Sequence, residues 1–361
     1  MNQDGKIIIL DSNDIPITDE ALLRRIKANP AYQAEKQRLD SQRQQILAQT
    51  FNEAVAEKEK LIKIHRLSPV VITREDFYET LNELKPQTYI TPEFTSPMPD
   101  IKNTKQYLEN EAKEKVKGSI FKIGKLRKKY VEDNLQARYS KEVEDWEQGR
   151  RDFIQWHRNK AEEENKHYQE LYEQQYGYLN GLINGDSEIV EEAINEWLSS
   201  CEFPMKVNID YELYLNDNLV FLDIDLPLID ELPENELIRL ESGNLREKKK
   251  TQTTLKSEYK TLVLSLAIFI SSHVFNISPS IQNIVISGYT QRREKDGQYN
   301  YEYIYSILFS RNRFEKQKLN SVDPIDFCMS FENRINSTST MILKSIKPFE
   351  FDDILQSITK I

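Results

Sequence analysis

The feature that most constrains this chain is the stretch from Lys102 to Tyr178, which contains no proline and is rich in helix-forming residues. Such a composition predicts helix almost throughout, with a break or bend at Gly118 and Gly124. A helix of about 50 residues would reach ~75 Å, so its apolar stripe needs cover from an intramolecular hairpin, a coiled coil or a dimer. The stripe consists of residues spaced by three, four or seven: Leu135, Tyr139, Val143, Trp146 and Phe153.

The residues before this stretch predict a strand-like start, more helices and a linker. Lys6 to Leu10 is the start, Asp19 to Arg66 indicates helix, and Glu75 to Leu84 indicates a short helix. Four prolines between residues 86 and 99 then exclude a helix or a central strand. We therefore divide the chain into N-terminal helices with a Pro-rich linker (1–100), a long helix or coiled coil (101–180) and a globular domain (181–361).

The globular part mixes helices with alternating strand patterns. Its order of elements predicts an α+β domain with a mixed or antiparallel sheet. The elements are a helix from Asp186 to Ser199, strands from Val207 to Leu215, Leu219 to Leu226 and Leu237 to Leu240, a helix from Leu255 to Phe275, strands from Ile284 to Thr290 and Tyr299 to Phe309 around the Asp296-Gly297 turn, a helix from Pro324 to Ile335, and a last strand from Met341 to Ile346.

Charge is distributed unevenly along the 361 residues, whose net charge is −10. The segment from Asp186 to Glu241 holds sixteen acidic residues and two basic ones, whereas Lys113 to Lys129 holds eight basic residues and Glu114 as its one acid. A basic patch of this kind is either a solvated face or a contact for phosphates or an acidic partner. The candidate nucleic-acid contacts are Lys122, Lys125, Arg127, Lys128, Lys129, Arg292 and Arg293.

The chain shows no signal for secretion or for a membrane span. Its first residues lack a charged leader with an apolar run. The longest apolar stretch, Leu262 to Phe275, is shorter than the about 20 residues that a span needs. The two cysteines have no partner at ligand spacing. The expectation is a cytoplasmic protein without membrane contact and with reduced thiols.

Asp223 and Asp225 are two apart on a predicted strand, so they share a face that could hold a divalent cation. Glu247 and Lys249 follow as an acid-x-Lys pair, and restriction-type nuclease cores use this set of residues to hold Mg²⁺ that activates water. Here the acid-x-Lys pair lies in a segment without strand character. The alternatives are an active metal site, a degenerate nuclease-like fold without activity, or solvated acidic strand faces.

Alternation places Tyr299, Tyr301, Tyr303 and Tyr305 on one face of a strand, where they could stack on bases, contact a protein or form a core face. His157 and His167 look exposed on a polar helix. No nucleophilic triad, metal-ligand pair or phosphate-binding loop can be assembled from the sequence.

Five segments of the sequence form a recognisable set: the long helix with Trp146 and Phe153, the helix from Gly185 to Trp197, Asp223-Ile224-Asp225-Leu226-Pro227, Ser272-His273-Val274-Phe275 and Ile286-Ser287-Gly288-Tyr289. Together they resemble the region that precedes the nuclease domain in bacterial Mrr-type restriction endonuclease-like proteins, over residues 120–351. The resemblance implies a bacterial protein in defence against foreign DNA. It implies no catalytic residue, because the family's nuclease motif would follow Phe351.

The sequence thus predicts a non-enzymatic interaction or sensor module. Its helical arm would oligomerise or dock another protein, and its α+β domain would hold a ligand, a partner or DNA. The alternatives are a metal-dependent nuclease of restriction-endonuclease-like fold and a purely structural scaffold. No cofactor is expected, except Mg²⁺ for the nuclease, and a small-molecule ligand stays open.

Overall fold

The computed structural model describes residues 9–10, 15–293 and 299–358 of the chain. The fold is α+β, with a long helix followed by a domain built on a mixed sheet. Two compact units are present: a globular unit, Met1–Tyr78 with Gly181–Ile361, and a helical unit, Glu79–Asn180. Most of the predicted start, residues 6–8, and the predicted Asp296-Gly297 turn lie outside the described residues.

The helical unit contains α4 (Ile101–Lys115) and most of α5 (Ile123–Asn184). Residues 116–122 separate these helices, so the predicted break occurs at Gly118, whereas Gly124 lies in the first turn of α5. Residues 84–100, which carry the four prolines, form neither helix nor strand, as their missing amide donors require. The predicted single helical stretch is therefore a helical hairpin preceded by an extended segment.

The extended segment and α4 cover much of the apolar stripe of α5. Phe94 packs against Trp146 and Phe153, with ring centroids 5.8 and 5.2 Å away. Further along, Leu108 and Val131 belong to one buried cluster, against which Leu135 packs. Of the three kinds of cover that the sequence left open, an intramolecular hairpin thus covers these parts of the stripe.

His157 is buried, so its predicted exposure is wrong. Its Nδ1 lies 2.7 Å from the Tyr89 hydroxyl, and its ring contacts those of Phe153 and Trp156 at 4.2 and 4.5 Å. The sequence showed a polar helix around His157, but the extended segment that brings Tyr89 to it is remote along the chain.

The globular unit is built on a six-stranded sheet with the strand order β1-β2-β5-β6-β7-β8. The sheet is mixed, because β2 and β5 are parallel while its other neighbours are antiparallel. Its strands are β1 (Asn208–Tyr214), β2 (Leu219–Asp225), β5 (Asn283–Arg293), β6 (Tyr299–Ser310), β7 (Glu332–Ser337) and β8 (Leu343–Lys344).

A second, two-stranded sheet pairs β3 (Asn235–Arg239) with β4 (Leu245–Lys249) in antiparallel register. The segment of Glu247 and Lys249 is therefore a strand, and its predicted lack of strand character is wrong. Gly243 turns the chain between the strands with a φ of +80°, a backbone conformation that glycine adopts without strain. Pairing across this turn, rather than the strand propensity of the charged residues, defines β4.

The helices of the globular unit have the following bounds. They are α1 (Glu20–Ala28), α2 (Pro30–Ile62), α3 (Arg74–Glu83, which extends into the helical unit), α6 (Ser187–Ser200), α7 (Gln252–Ile277), α8 (Arg311–Glu315), α9 (Pro324–Met329) and α10 (Phe351–Ile358), with 3-10 helices at Ile64–Leu67, Leu215–Asp217, Ile229–Glu231 and Leu319–Ser321.

The apolar helix α7 is the central core element of the globular unit. In the described part of the chain it is the one helix long and apolar enough to cross a membrane, yet 78% of its most apolar window is buried inside the fold. Ser265 of α7 lies 2.9 Å from Nδ1 of the buried His65, whose Nε2 lies 3.1 Å from the Val322 carbonyl oxygen. Burial lowers the pKa of His65, so this neutral side chain links α7 to two remote segments.

The helix predicted from Pro324 to Ile335 ends early, which corrects the sequence interpretation. The helix α9 stops at Met329, and residues from Glu332 onward form β7 against β6. The backbone of β6 offers β7 a row of hydrogen-bond partners, which local helix propensity did not reveal. The predicted last strand shortens to the two residues of β8.

The four predicted tyrosines do not share one face of β6. The pairing of β5 with β6 shifts between Gly288 and Tyr289, so that Gly288 lies opposite Tyr305 while Tyr289 lies opposite Tyr303. This bulge turns Tyr305 to the face opposite that of Tyr303, and Tyr305 is fully buried. The side chain of Tyr299 lies outside the described residues.

Gly288→Ala is expected to destabilise the globular unit by about 1–3 kcal/mol. An added Cβ would lie 2.4 Å from Cε1 of Tyr305 and 2.6 Å from Cδ1 of Leu226, both in the core. Urea denaturation followed by circular dichroism measures the change. Gly149→Ala is the control, because no atom lies within 4 Å of the added Cβ. Equal stability of Gly288→Ala and the wild type would contradict the close packing of Tyr305.

Candidate functional site

The candidate site is a cluster of carboxylates on the six-stranded sheet, here called the acidic face: Asp210, Glu212, Asp223 and Asp225. Alternation along β2 turns Val220, Leu222 and Ile224 into the core, so Asp223 and Asp225 lie on the opposite face. The antiparallel register places Asp210 of β1 directly opposite Asp223. Like charges at directly opposed positions repel one another and destabilise the sheet.

Neutral side chains, rather than basic ones, hold these carboxylates. The Tyr303 hydroxyl donates to Oδ2 of Asp223 at 2.9 Å. Asp225 accepts hydrogen bonds from Gln291 Nε2 at 2.9 Å and from Asn208 Nδ2 at 3.3 Å. Among the side chains that the structure describes, no lysine or arginine forms an ion pair with any member of the acidic face.

Burial, together with neighbouring negative charge, raises the pKa of Asp223. Burial of the carboxyl is the main cause, and the nearby charges of Glu212 and Asp210 add to it, while the hydrogen bond from Tyr303 acts in the opposite direction. Burial and the Asp223 carboxylate in turn raise the pKa of Tyr303 well above that of an ordinary tyrosine. Tyr303 therefore stays protonated and acts as a hydrogen-bond donor.

A groove of about 350 Å³ opens beside three of these carboxylates, Asp210, Glu212 and Asp223. Its other lining is aromatic, with Tyr211, Tyr214, Phe221, Phe349 and Phe351, together with Pro348 and Glu350.

Two strands, one loop and the start of α10 position the aromatic side chains of this groove. Tyr214 and Phe351 stack with ring centroids 4.4 Å apart, and Tyr214 also meets Phe221 edge-on at 5.7 Å. The loop that carries Phe349 is fixed by the hydrogen bond from its backbone N–H to Ser306 Oγ at 3.0 Å. Arg334 donates to the Pro348 carbonyl at 2.8 Å. The lining of the groove therefore combines carboxylates with aromatic side chains.

The four candidate nuclease residues do not come together in one sheet. Asp223 and Asp225 lie on β2 of the six-stranded sheet, whereas Glu247 and Lys249 lie on β4 of the two-stranded sheet. Lys249 forms an ion pair with Glu234 at 2.8 Å. Within residues 9–10, 15–293 and 299–358, no group of three or more His, Cys, Asp or Glu residues is placed to hold a metal ion.

No protein-family model, curated protein or solved structure matches this chain significantly. The chemistry of the site therefore rests on the residues themselves. Carboxylates attract ammonium and guanidinium groups, and ring faces attract the same cations through their quadrupole. The groove combines both kinds of group, so its chemistry suits a cation.

Five of the seven sequence-predicted nucleic-acid residues belong to the helical unit. Lys122 lies in the connection between α4 and α5, and four more follow in the first turns of α5: Lys125, Arg127, Lys128 and Lys129. The backbone of Arg292 and Arg293 belongs to β5, but their side chains lie outside the described residues.

Sequence reasoning missed Asp210, Glu212 and the aromatic lining of the groove. Asp210 and Glu212 alternate with apolar residues in β1, and the hairpin signal at residues 216–218 could have placed them beside Asp223. No local signal could have predicted that Phe349 and Phe351 lie at the site, because their position depends on the strand order of the whole sheet.

Asp223→Asn is expected to raise the free energy of unfolding at pH 7. The folded state holds the Asp223 proton more tightly than the unfolded chain does, because its pKa is raised above the ordinary value of 3.8. Stability contributed by this group is therefore present below the ordinary pKa and is lost as pH rises through the raised pKa. Solvent screens part of this effect, so the gain at pH 7 should be on the order of 0.5–1 kcal/mol.

Urea denaturation of the wild type and Asp223→Asn at pH 7 and at pH 3.5 measures this difference. The two proteins should converge at the lower pH, where the wild-type carboxyl is protonated. Asp230→Asn, at an exposed position on the 3-10 helix Ile229–Glu231, should show no comparable gain. A less stable Asp223→Asn protein at pH 7 would contradict the repulsion described for the acidic face.

Proposed function

We propose that this chain is a non-enzymatic binding module that holds a lysine or arginine side chain of a basic peptide segment in the groove of its acidic face. The observation that carries the proposal is the set of three carboxylates, Asp210, Glu212 and Asp223, beside aromatic rings and without a basic partner among the described side chains. A bound cation would relieve their repulsion and would neutralise charge that no described lysine or arginine side chain pairs with.

The size of the groove supports a single side chain rather than a large ligand. Its volume of about 350 Å³ is at the lower end of the about 300–1,000 Å³ that ligand pockets occupy. An ammonium or guanidinium group could meet Asp210 and Asp223, which lie opposite each other, while its methylene stem lies against Tyr214 and Phe351. Amphipathic stems of this kind pack on apolar surface with the charged end elsewhere.

We also propose that the helical unit is a docking arm for another copy of this chain or for another protein. Along α5, several apolar side chains remain exposed: Ile154, Trp156, Leu171 and Tyr176. A Trp156→Ser variant should shift a self-associating protein toward the monomer in sedimentation-velocity experiments. The role in bacterial defence stays a prediction that rests on the sequence resemblance.

Isothermal titration calorimetry with short peptides tests the groove. An arginine- or lysine-containing peptide should bind, with an affinity that falls at higher salt, whereas a glutamate-containing peptide of equal length should not bind. If the protein instead cleaved DNA in a separate assay with added divalent metal, that result would favour the nuclease alternative. Equal binding of the basic and acidic peptides, or no binding of either, would contradict the proposal.

A further inference from the structure

The most exposed large apolar residues of the described chain are neighbours at the tip of the helical hairpin. Phe121 is 97% exposed and Ile120 is 89% exposed, in the connection between α4 and α5. Single exposed apolar residues are common on protein surfaces. Two adjacent ones, presented almost completely to solvent by a turn between two helices, form a surface that needs an apolar partner.

Basic side chains surround this tip. Seven lysines and Arg127 lie between residues 113 and 129, with Glu114 as the single acid. Lys115 pairs with Glu111, and Lys128 lies 3.8 Å from Glu132. No ion pair to a described residue engages the others nearest the apolar pair: Lys117, Lys122, Lys125 and Lys129.

A groove behind the tip continues the same chemistry. It lies between α4 and α5 and has a volume of about 530 Å³. Its lining combines the apolar Ala112, Val131 and Leu135 with four basic residues and two acids: Lys105, Lys113, Arg127, Lys128, Glu109 and Glu132. Basic side chains therefore extend from the turn onto both helices.

We infer that the hairpin tip docks on an anionic lipid bilayer, with Ile120 and Phe121 entering the acyl boundary and the lysines lying among the headgroups. This combination of a short apolar wedge and a polybasic surround is the one that stable surface attachment requires. It needs no spanning helix, so the lack of a span in the sequence does not exclude it. This surface contact departs from the sequence expectation of no membrane contact.

The composition of the tip favours a bilayer over a nucleic acid. Bases offer flat faces on which Phe121 stacks, but Ile120 has no ring and gains most from a hydrocarbon environment. The cations are lysines with one arginine, Arg127, whose Nη2 already donates to the Lys113 carbonyl at 2.9 Å. Lysine is a hydrated point charge suited to diffuse attraction, whereas arginine is the residue of choice for nucleic-acid phosphates.

Co-sedimentation of the full chain with vesicles tests this inference. The protein should bind vesicles of phosphatidylcholine and phosphatidylserine at low salt and should not bind vesicles of phosphatidylcholine alone. The double variant Ile120→Ser/Phe121→Ser keeps every charge and should lose roughly tenfold or more in apparent affinity. The triple variant Lys117→Gln/Lys122→Gln/Lys125→Gln should bind vesicles that contain phosphatidylserine no better than vesicles of phosphatidylcholine alone.

Ile90→Ser is the matched control. Ile90 is 87% exposed in the extended segment of the same unit, but it lies outside the basic stretch. Its substitution should leave vesicle binding unchanged, and circular dichroism should show the same helix content in all variants. Absence of vesicle binding, binding that ignores Ile120 and Phe121, or binding of duplex or single-stranded DNA that depends on Phe121 would each overturn the inference.

Discussion

Arg311→Met is expected to lower the free energy of unfolding of the globular unit by about 3–5 kcal/mol. Arg311 begins α8 and is 2% exposed. Its guanidinium donates to the carbonyl oxygens of Ile72 and Ile281 at 2.9 Å each and of Ser278 at 2.7 Å, and it also donates to the carbonyl of Phe275. One side chain therefore donates hydrogen bonds to backbone carbonyl groups at the end of α7 and in two further segments.

Methionine fills a similar volume but donates no hydrogen bond. The substitution would leave these buried carbonyl groups unpaired, and it would remove the partner of Glu315, 3.6 Å from the guanidinium. Burial lowers the pKa of Arg311 to about 10, so the side chain is still charged at neutral pH. The loss of unfolding free energy in Arg311→Met should therefore be present throughout the neutral pH range.

Urea denaturation measures the effect, and Arg313→Met provides the control two residues away. Arg313 is exposed and donates to Ser330 near the surface, so its loss should cost less than about 1 kcal/mol. Arg311→Lys keeps the charge without the planar fork and should also be clearly destabilised. Similar stabilities for Arg311→Met and Arg313→Met would contradict the role of the buried guanidinium.

Removal of the two opposed carboxylates, in Asp210→Asn/Asp223→Asn, should weaken binding of a basic peptide at least about tenfold. The isosteric amides keep the shape of the groove, and the amide oxygen introduced at position 223 can still accept the hydrogen bond from Tyr303. The loss would then come from the charges themselves. Titration calorimetry at neutral pH measures it.

A charge-matched variant separates local contact from the long-range field. Asp230→Asn/Glu231→Gln removes the same charge from a 3-10 helix outside the groove and should change affinity much less. Affinity of the wild type should also fall as the solution is acidified, because burial and neighbouring carboxylates raise the pKa of Asp223. Equal losses in the two double variants would contradict a specific site.

Local patterns predicted most elements of this fold. The alternation in β1 and β2, the uninterrupted apolar run of α7 and the proline-rich gap before α4 each follow from the side chains of one segment. Local patterns did not predict the secondary structure of segments that become strands only by pairing with another part of the chain. Residues 332–335 are a strand because β6 lies beside them, and Lys249 lies in a strand because the chain turns at Gly243.

The candidate site was predictable only in part. The sequence placed Asp223 and Asp225 on one face of a strand, and the structure bears this out. The bulge at Gly288 was not predictable from alternation, and it divides the tyrosines between two faces. Arg311 gave no signal either, because its carbonyl partners are spread over remote segments of the chain.

Proton release on binding is the most direct measurement of a cation in the groove. A cation beside Asp223 stabilises the charged carboxylate and lowers its raised pKa, so binding near pH 5 should release protons. Calorimetric titration of the basic peptide in two buffers of different ionisation enthalpy measures the number released. The wild type should release protons and Asp223→Asn should release fewer or none, whereas equal release by both proteins, or none by the wild type, would contradict cation binding at the acidic face.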